Sequence, residues 1–214
     1  AEISNSISAG GVEVKVDGVS YMTLLAGADT QNGASAQINI VALGPNTNQS
    51  NPWSFDDYYI IDNKGPELNN FLGDVRVDAI NVSSTGTVSN WAPSSAGATL
   101  VSMVASTFPD SGTTFMYAST ASDAARFFVS AMASANGSIY GVQLNLGIAK
   151  SDTTSIRNAA ALMYTSGASA VGSTSIVGNV SYAYLKFITS ADASGASWSS
   201  NTVLGTEFGI KFIS

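Results

Sequence analysis

Apolar and polar residues alternate along much of this 214-residue chain, at the two-residue period expected of strands with one face buried. Val12, Val14 and Val16 alternate with Glu13 and Lys15, and the alternation resumes beyond Asp17-Gly18 with Val19, Tyr21 and Thr23. Asp-Gly accepts the positive φ angles of a type I′ turn, so this stretch predicts a β-hairpin. Ala36, Ile38, Ile40 and Ala42 line one face of another strand, closed by Gly44-Pro45-Asn46. The apolar run at 58–61, set between acids, predicts a short buried strand. Residues 74–79 alternate as well, and the change of register at Ile80 and Val82 predicts a bulge or a strand end. Residues 100–104 and 115–118 read as further short strands. The longest alternation sets Tyr140, Val142, Leu144, Leu146 and Ile148 against Gly141, Gln143, Asn145 and Gly147, and predicts a central core strand. Residues 180–188 read as a strand apolar on both faces, and Thr206, Phe208, Ile210 and Phe212 as a last one.

Helical periodicity is confined to two places. Ser122 can cap a helix whose stripe is Ala124, Phe127, Phe128, Ala131 and Met132, ended by Asn136-Gly137. Residues 152–164 form a weaker candidate. Residues 166–178 and 191–201, rich in Ser, Gly and Ala, read as loops. The pattern predicts a mainly β fold, a β-sandwich of jelly-roll or Greek-key type with one or two short helices and an extended N-terminal strand.

That terminal segment sets the domain organisation. Ala1, Ile3, Ile7 and Ala9 share one face of an extended segment, with Asn5 its one polar member, and Glu2, Ser4, Ser6 and Ser8 take the other. Gly10 and Gly11 then supply a hinge. Residues 1–11 read as an N-terminal strand with its hinge, and residues 12–214 as a single β-sandwich domain. The strand has two readings. It pairs within its own subunit, or it fills a groove in a neighbouring copy by β-augmentation. In the second case a contact that does not close on itself generates an open, head-to-tail homopolymer.

Composition removes most enzymatic chemistry. The chain has no cysteine and no histidine, which takes away disulfides, thiolates, Ser-His-Asp triads and ordinary zinc or copper sites. No GxSxG, SxxK, Walker A or GxGxxG pattern occurs. The sequence asks for no cofactor. Charged residues are 11% of the chain against about 25% in ordinary domains, with Ser, Ala, Gly, Thr and Asn filling the difference. Net charge is −7 and the bases are scattered singly, which argues against nucleic acid. No apolar run reaches the length of a membrane span, and Glu2, Glu13, Lys15 and Asp17 interrupt the helix that type IV pilins use for assembly. With alanine first, the chain reads as a processed product, secreted to the cell surface or beyond.

Three further signals bear on function. Asn-x-Ser/Thr sequons stand at Asn48, Asn81, Asn136 and Asn179, each a candidate for N-glycosylation if solvent-facing. Asp56, Asp57, Asp62 and Glu67 lie close together, but their spacing is not that of an EF-hand, and they read as acids flanking a strand rather than as a metal site. Trp53, Trp91 and Trp198 sit among Ser, Asn and Pro, where tryptophans stack on sugars or cover a core.

In its alternating 1–9 segment before Gly10-Gly11, its cysteine-free, Ser/Thr/Asn-rich strands and its four sequons, the chain resembles the donor-strand filament subunits of archaeal surface threads and bundling pili and of bacterial biofilm matrix fibres. The resemblance implies a secreted, jelly-roll-like pilin, N-glycosylated where its sequons are used, that polymerises without a membrane helix and serves adhesion or biofilm formation. Ala1, Ile3, Asn5, Ile7 and Ala9 would be its donor residues. Chaperone-usher pilins match less well, because their cysteine pair is missing. Two other functions compete: a surface-layer or carbohydrate-binding module using Trp53, Trp91 or Trp198, and a histidine-independent glycoside hydrolase built on paired carboxylates.

Overall fold

A computed structural model of the chain describes residues 10–16, 19–28, 54, 56–57, 59–60, 67–68, 72–105, 110, 112–133, 137–172, 175–177 and 181–214. The expected strand at 36–42, and residues 1–9, lie outside these. The chain groups into two compact units, Ala1–Tyr58 with Gly73–Val77, and Tyr59–Leu72 with Asp78–Ser214. The protein is mainly β, with antiparallel sheets and two short helices among the described residues.

In the first unit, β1 (Gly10–Val16) pairs antiparallel with β2 (Val19–Ala28), as the Asp-Gly signal predicts. Val12 is paired with Leu24 and Val14 with Met22, with a register shift between Val14 and Lys15. Gly10 and Gly11 are the first two residues of β1. Nearby in sequence, residues 74–77 are irregular rather than extended in a sheet, and the Val77 N–H is held by Asp57 Oδ1 at 2.8 Å. The alternation there reflects no ladder partner among the described residues. Ile60, expected in a buried strand, is irregular and 62% exposed.

In the second unit the elements run β3 (Val82–Ser89), β4 (Ala92–Pro93), α1 (Leu100–Val104), β5 (Met116–Tyr117), β6 (Ala124–Val129), β7 (Val142–Ile148), β8 (Arg157–Thr165), β9 (Ala168–Val171), β10 (Ser175–Val177), β11 (Ala183–Thr189), α2 (Ser200–Gly205) and β12 (Glu207–Phe212). A six-stranded sheet runs β10-β8-β12-β6-β3, with β9 also paired to β8. The predicted strand end near Val82 is where β3 begins, and a register shift between Val82 and Ser84 marks a bulge against β6.

Two predicted helices are strands. Residues 124–129 form β6, and most of 152–164 belongs to β8. Both lie inside a sheet covered on both faces, so apolar residues fall on either side and the period-2 signature disappears. Ala125 and Phe127 join one core cluster, while Ala124 and Arg126 are buried on the other face. Conversely, the expected strand at 100–104 is α1, capped by the Thr99 hydroxyl accepting the Ser102 N–H at 3.2 Å. The loop at 191–201 runs into α2, whose capping box pairs Ser199 with Thr202. The loop at 166–178 contains β9 and β10. Ser166 (φ 49°) and Gly167 (φ 92°) make the two-residue turn between β8 and β9, with both residues left-handed as a type I′ hairpin requires.

The centre of the large sheet is β12, between β6 and β8, rather than the longest alternating segment. Phe208 and Ile210 point to the core side, each contributing about 1.5–3 kcal/mol by burial. Gly209 stands opposite Arg126 on the other side, where any Cβ would run into the Ala125 carbonyl. Only glycine lets β6 and β12 approach this closely.

The segment expected at the centre, β7, instead pairs, among the described residues, with β11 alone in a two-stranded sheet. Its inward row still feeds the core. Val142 and Leu144 pack on the cluster of Met163, Trp198, Val203 and Phe208, and Leu146 and Ile148 on that of Ala159, Val177 and Ile210.

Candidate functional site

The two-stranded sheet β7–β11 combines an apolar face with outer edges that have no further strand among the described residues. From β11, Leu185 and Phe187 face inward, and Phe187 packs on the Met163 cluster and against Gly172, where a side chain would collide with its ring. Full antiparallel pairing runs from Ala183 opposite Ile148 to Thr189 opposite Val142. Among the described residues neither strand has a second neighbour. Each outer edge therefore carries about three N–H and three C=O groups pointing away from its partner. Two strands alone are marginal in water, and this pair is held by its contact with the core rather than by sheet width.

Polar residues elsewhere serve the fold. Glu207 and Arg126 form an ion pair buried on the far face of the six-stranded sheet, with Arg126 Nε 3.2 Å from Glu207 Oε2. The Nε–H is not aligned as a hydrogen bond, so this contact is electrostatic. Thr87 completes the arrangement. Its N–H and hydroxyl donate to Glu207 Oε2 at 3.0 and 3.1 Å, and its Oγ1 accepts from Arg126 Nη2 at 2.7 Å. The guanidinium carbon lies 4.2 Å from the centre of the Tyr164 ring, so four strands share one buried charge pair.

Four other carboxylates anchor loops. Glu67 accepts the N–H and hydroxyl of Ser190, and the hydroxyl chiefly holds its pKa below the usual value. Asp110 is lowered by the Thr114 hydroxyl, with burial opposing and backbone N–H groups of 112–114 assisting. Asp152 is lowered first by the Ser155 N–H and then by Arg157 Nε at 2.8 Å. Asp192 is lowered first by the Ser194 hydroxyl, which outweighs burial. A general acid for glycoside cleavage needs the opposite shift. Asp56 and Asp57 are exposed, with Asp56 Oδ1 accepting the Asp57 N–H at 2.8 Å, and Asp62 lies outside the described residues. No group of three acids converges as a metal site would require among the described residues.

Two of the tryptophans take the core-covering role, one of the two expected of them. Trp198 is 5% exposed, donates Nε1–H to the Thr189 carbonyl at 3.2 Å, and packs on Phe208 with ring centres 6.0 Å apart. The open depression of about 650 Å³ beside it is lined by serines, Asn201 and Ile139, and holds no ionisable side chain. Trp91 is half-buried against two core clusters, its Nε1 shielded without a hydrogen-bond partner among the described residues. Both indoles pack on the core. Trp53 lies outside the described residues.

Of the other expected site residues, Ala1, Ile3, Asn5, Ile7 and Ala9 lie outside the described residues, as do Asn48, Asn136 and Asn179. Asn81 is exposed immediately before β3, its carbonyl accepting the Ser130 N–H at 2.8 Å. The open-edged sheet was legible as two strands but not as a pair. Nothing in an alternating pattern says how many neighbours a strand has. No described helix is long and apolar enough to cross a membrane. Comparison with known proteins matches no family model, no curated relative and no solved structure.

Proposed function

We propose that this protein is a structural subunit of an extracellular filament, polymerising as residues 1–9 of one copy add to a sheet edge of the next. The observation that carries the reading is the two-stranded sheet β7–β11, whose apolar row is seated on the core while its outer edges lack a strand among the described residues. An added strand would satisfy edge groups that water now solvates, and Ile3 and Ile7 would extend the apolar row. The dimensions agree. Nine extended residues span about 30 Å, enough to run the length of a seven-residue strand at about 23 Å. On this reading the stacked sheets are the two layers of a jelly-roll-like sandwich, Gly10 and Gly11 form the hinge at the mouth of the β1–β2 hairpin, and N-glycans occupy exposed sequons such as Asn81. Adhesion or biofilm cohesion would follow from the polymer.

Electron microscopy and sedimentation of the purified chain, beside a variant lacking residues 1–9, test this. The full chain should form fibres that pellet. The variant should stay monomeric and folded, and an added peptide of sequence AEISNSISA should raise its melting temperature. A monomeric full chain, or a shortened variant that unfolds, would overturn the proposal in favour of a strand paired within its own subunit.

A further inference from the structure

The outward face of the two-stranded sheet carries a chemistry separate from its edges. Tyr184 stands opposite Gly147, Lys186 opposite Asn145 and Ile188 opposite Gln143, all on the side away from Leu185 and Phe187. Glycine in a strand leaves bare backbone, and two tyrosines cover it. The place where a Gly147 Cβ would sit is 3.6 Å from Tyr184 Cε1 and 3.8 Å from Tyr182 Cδ1, ordinary packing distances. Tyr182 is pinned at the opposite corner too, its Cε2 2.8 Å from the position of a Gly112 Cβ. The rings are thus seated on glycines, yet Tyr184 is 62% and Tyr182 43% exposed.

Beside the rings runs a row of hydrogen-bonding groups. Gln143 Nε2 donates to Asn145 Oδ1 at 2.7 Å, which orients both amides and leaves Gln143 Oε1 and Asn145 Nδ2 for a ligand. Lys186 adds a cation. Neither β7 nor β11 carries an acid, so Lys186 is the one charged side chain on the two strands.

From this placement we infer that the outer face binds a polysaccharide strand, with the tyrosine rings against the C–H faces of pyranose units and the amides and Lys186 taking hydroxyl or uronate oxygens. Seated aromatic rings offer large contact area at little entropic cost, and adjacent polar groups fix orientation. A flat row suits an extended polymer rather than a small metabolite. A protein partner fits less well, because Ile188, 38% exposed, is the one aliphatic side chain in the outward row of paired positions. The site does not use the sheet edges, so it stands whether or not the chain polymerises.

Fluorescence anisotropy of labelled cellohexaose and hexagalacturonate, titrated with the full chain, tests the inference. Saturable binding of at least one is expected, weakened about tenfold or more by Tyr184→Ala and kept within about threefold by Tyr184→Phe. Lys186→Ala should affect the acidic hexamer alone. Circular dichroism checks folding, and should Tyr184→Ala not fold, the strand-favouring Tyr184→Thr replaces it. Binding of neither hexamer, or equal binding by wild type and the variant lacking the ring, would overturn the site.

Discussion

The six-stranded sheet and the two-stranded sheet are built from strands of similar length but opposite burial. In β6, β8 and β12 consecutive residues are buried on both faces, whereas β7 alternates half-buried and exposed along its whole length. The first kind of strand fixes the fold and tolerates little, and the second leaves one face exposed and, among the described residues, one edge without a neighbour. If that division holds, equivalent substitutions in the two sheets should differ sharply.

Glycine gives the largest contrast. Gly209→Val places a side chain against the Ala125 carbonyl between two central strands, and should cost more than about 4 kcal/mol, enough to unfold many domains. Gly147→Ala in the outer sheet adds a Cβ at ordinary contact distance from the tyrosine rings and should stay within about 1 kcal/mol of wild type. Urea denaturation of both variants measures the difference, and similar losses would dissolve the distinction.

The buried pair comes next. Glu207→Ala leaves the Arg126 guanidinium buried without its counter-charge, and should cost about 3–5 kcal/mol. The double replacement Arg126→Met with Glu207→Leu should recover most of that loss, because removing both charges removes their desolvation. If the double variant is as unstable as the single, the network of Thr87 and Tyr164 matters more than the charges themselves.

Within the outer sheet, Leu144→Ala should cost about 2 kcal/mol, while Asn145→Ala should change stability by under about 0.5 kcal/mol. Neighbours in one strand would then differ severalfold, which is the signature of a sheet that uses a single face.

These contrasts also explain what the sequence reveals. A strand with one wet face such as β7 is legible because Val142, Leu144 and Leu146 alternate with Gln143, Asn145 and Gly147, while β11, with Tyr184 and Ile188 on its exposed side, is legible as a strand but reads as apolar on both faces. Of the strands with two dry faces, β12 is legible from Thr206, Phe208, Ile210 and Phe212, whereas β6 and β8 are not. In β6 the order Ala124, Ala125, Arg126, Phe127, Phe128 satisfies a helical stripe as readily as a strand, and the run Ala159-Ala160-Ala161 in β8 favours helix by propensity. Tertiary context decided both. The helices that do form are five and six residues long, too short for periodicity, and announced only by the caps Thr99 and Ser199. The tyrosine face escaped notice because Gly147 and Tyr184 lie far apart in sequence, and only the pairing register makes them neighbours. Trp198 drew attention for its polar surroundings, although those serines line the outside of a ring that faces Phe208.

The smallest expected effect concerns loops rather than sheets, and it is visible only in acid. Glu67, Asp110, Asp152 and Asp192 all titrate below their ordinary values of 4.5 for Glu and 3.8 for Asp, because hydroxyls and backbone N–H groups hold the ionised form. The unfolded chain takes up protons first. Stability from these groups is therefore complete above the ordinary carboxylate range and lost as pH falls through the lowered native values. Asp192→Asn should accordingly be less stable than wild type at pH 7, where the carboxylate binds the Ser194 hydroxyl and the Ala196 N–H. The two proteins should converge as pH falls through the lowered native value and both become neutral at this position. Thermal melts at pH 7, 5 and 3 measure the gap, and a gap that persists in acid would show that shape, not charge, holds the turn before α2.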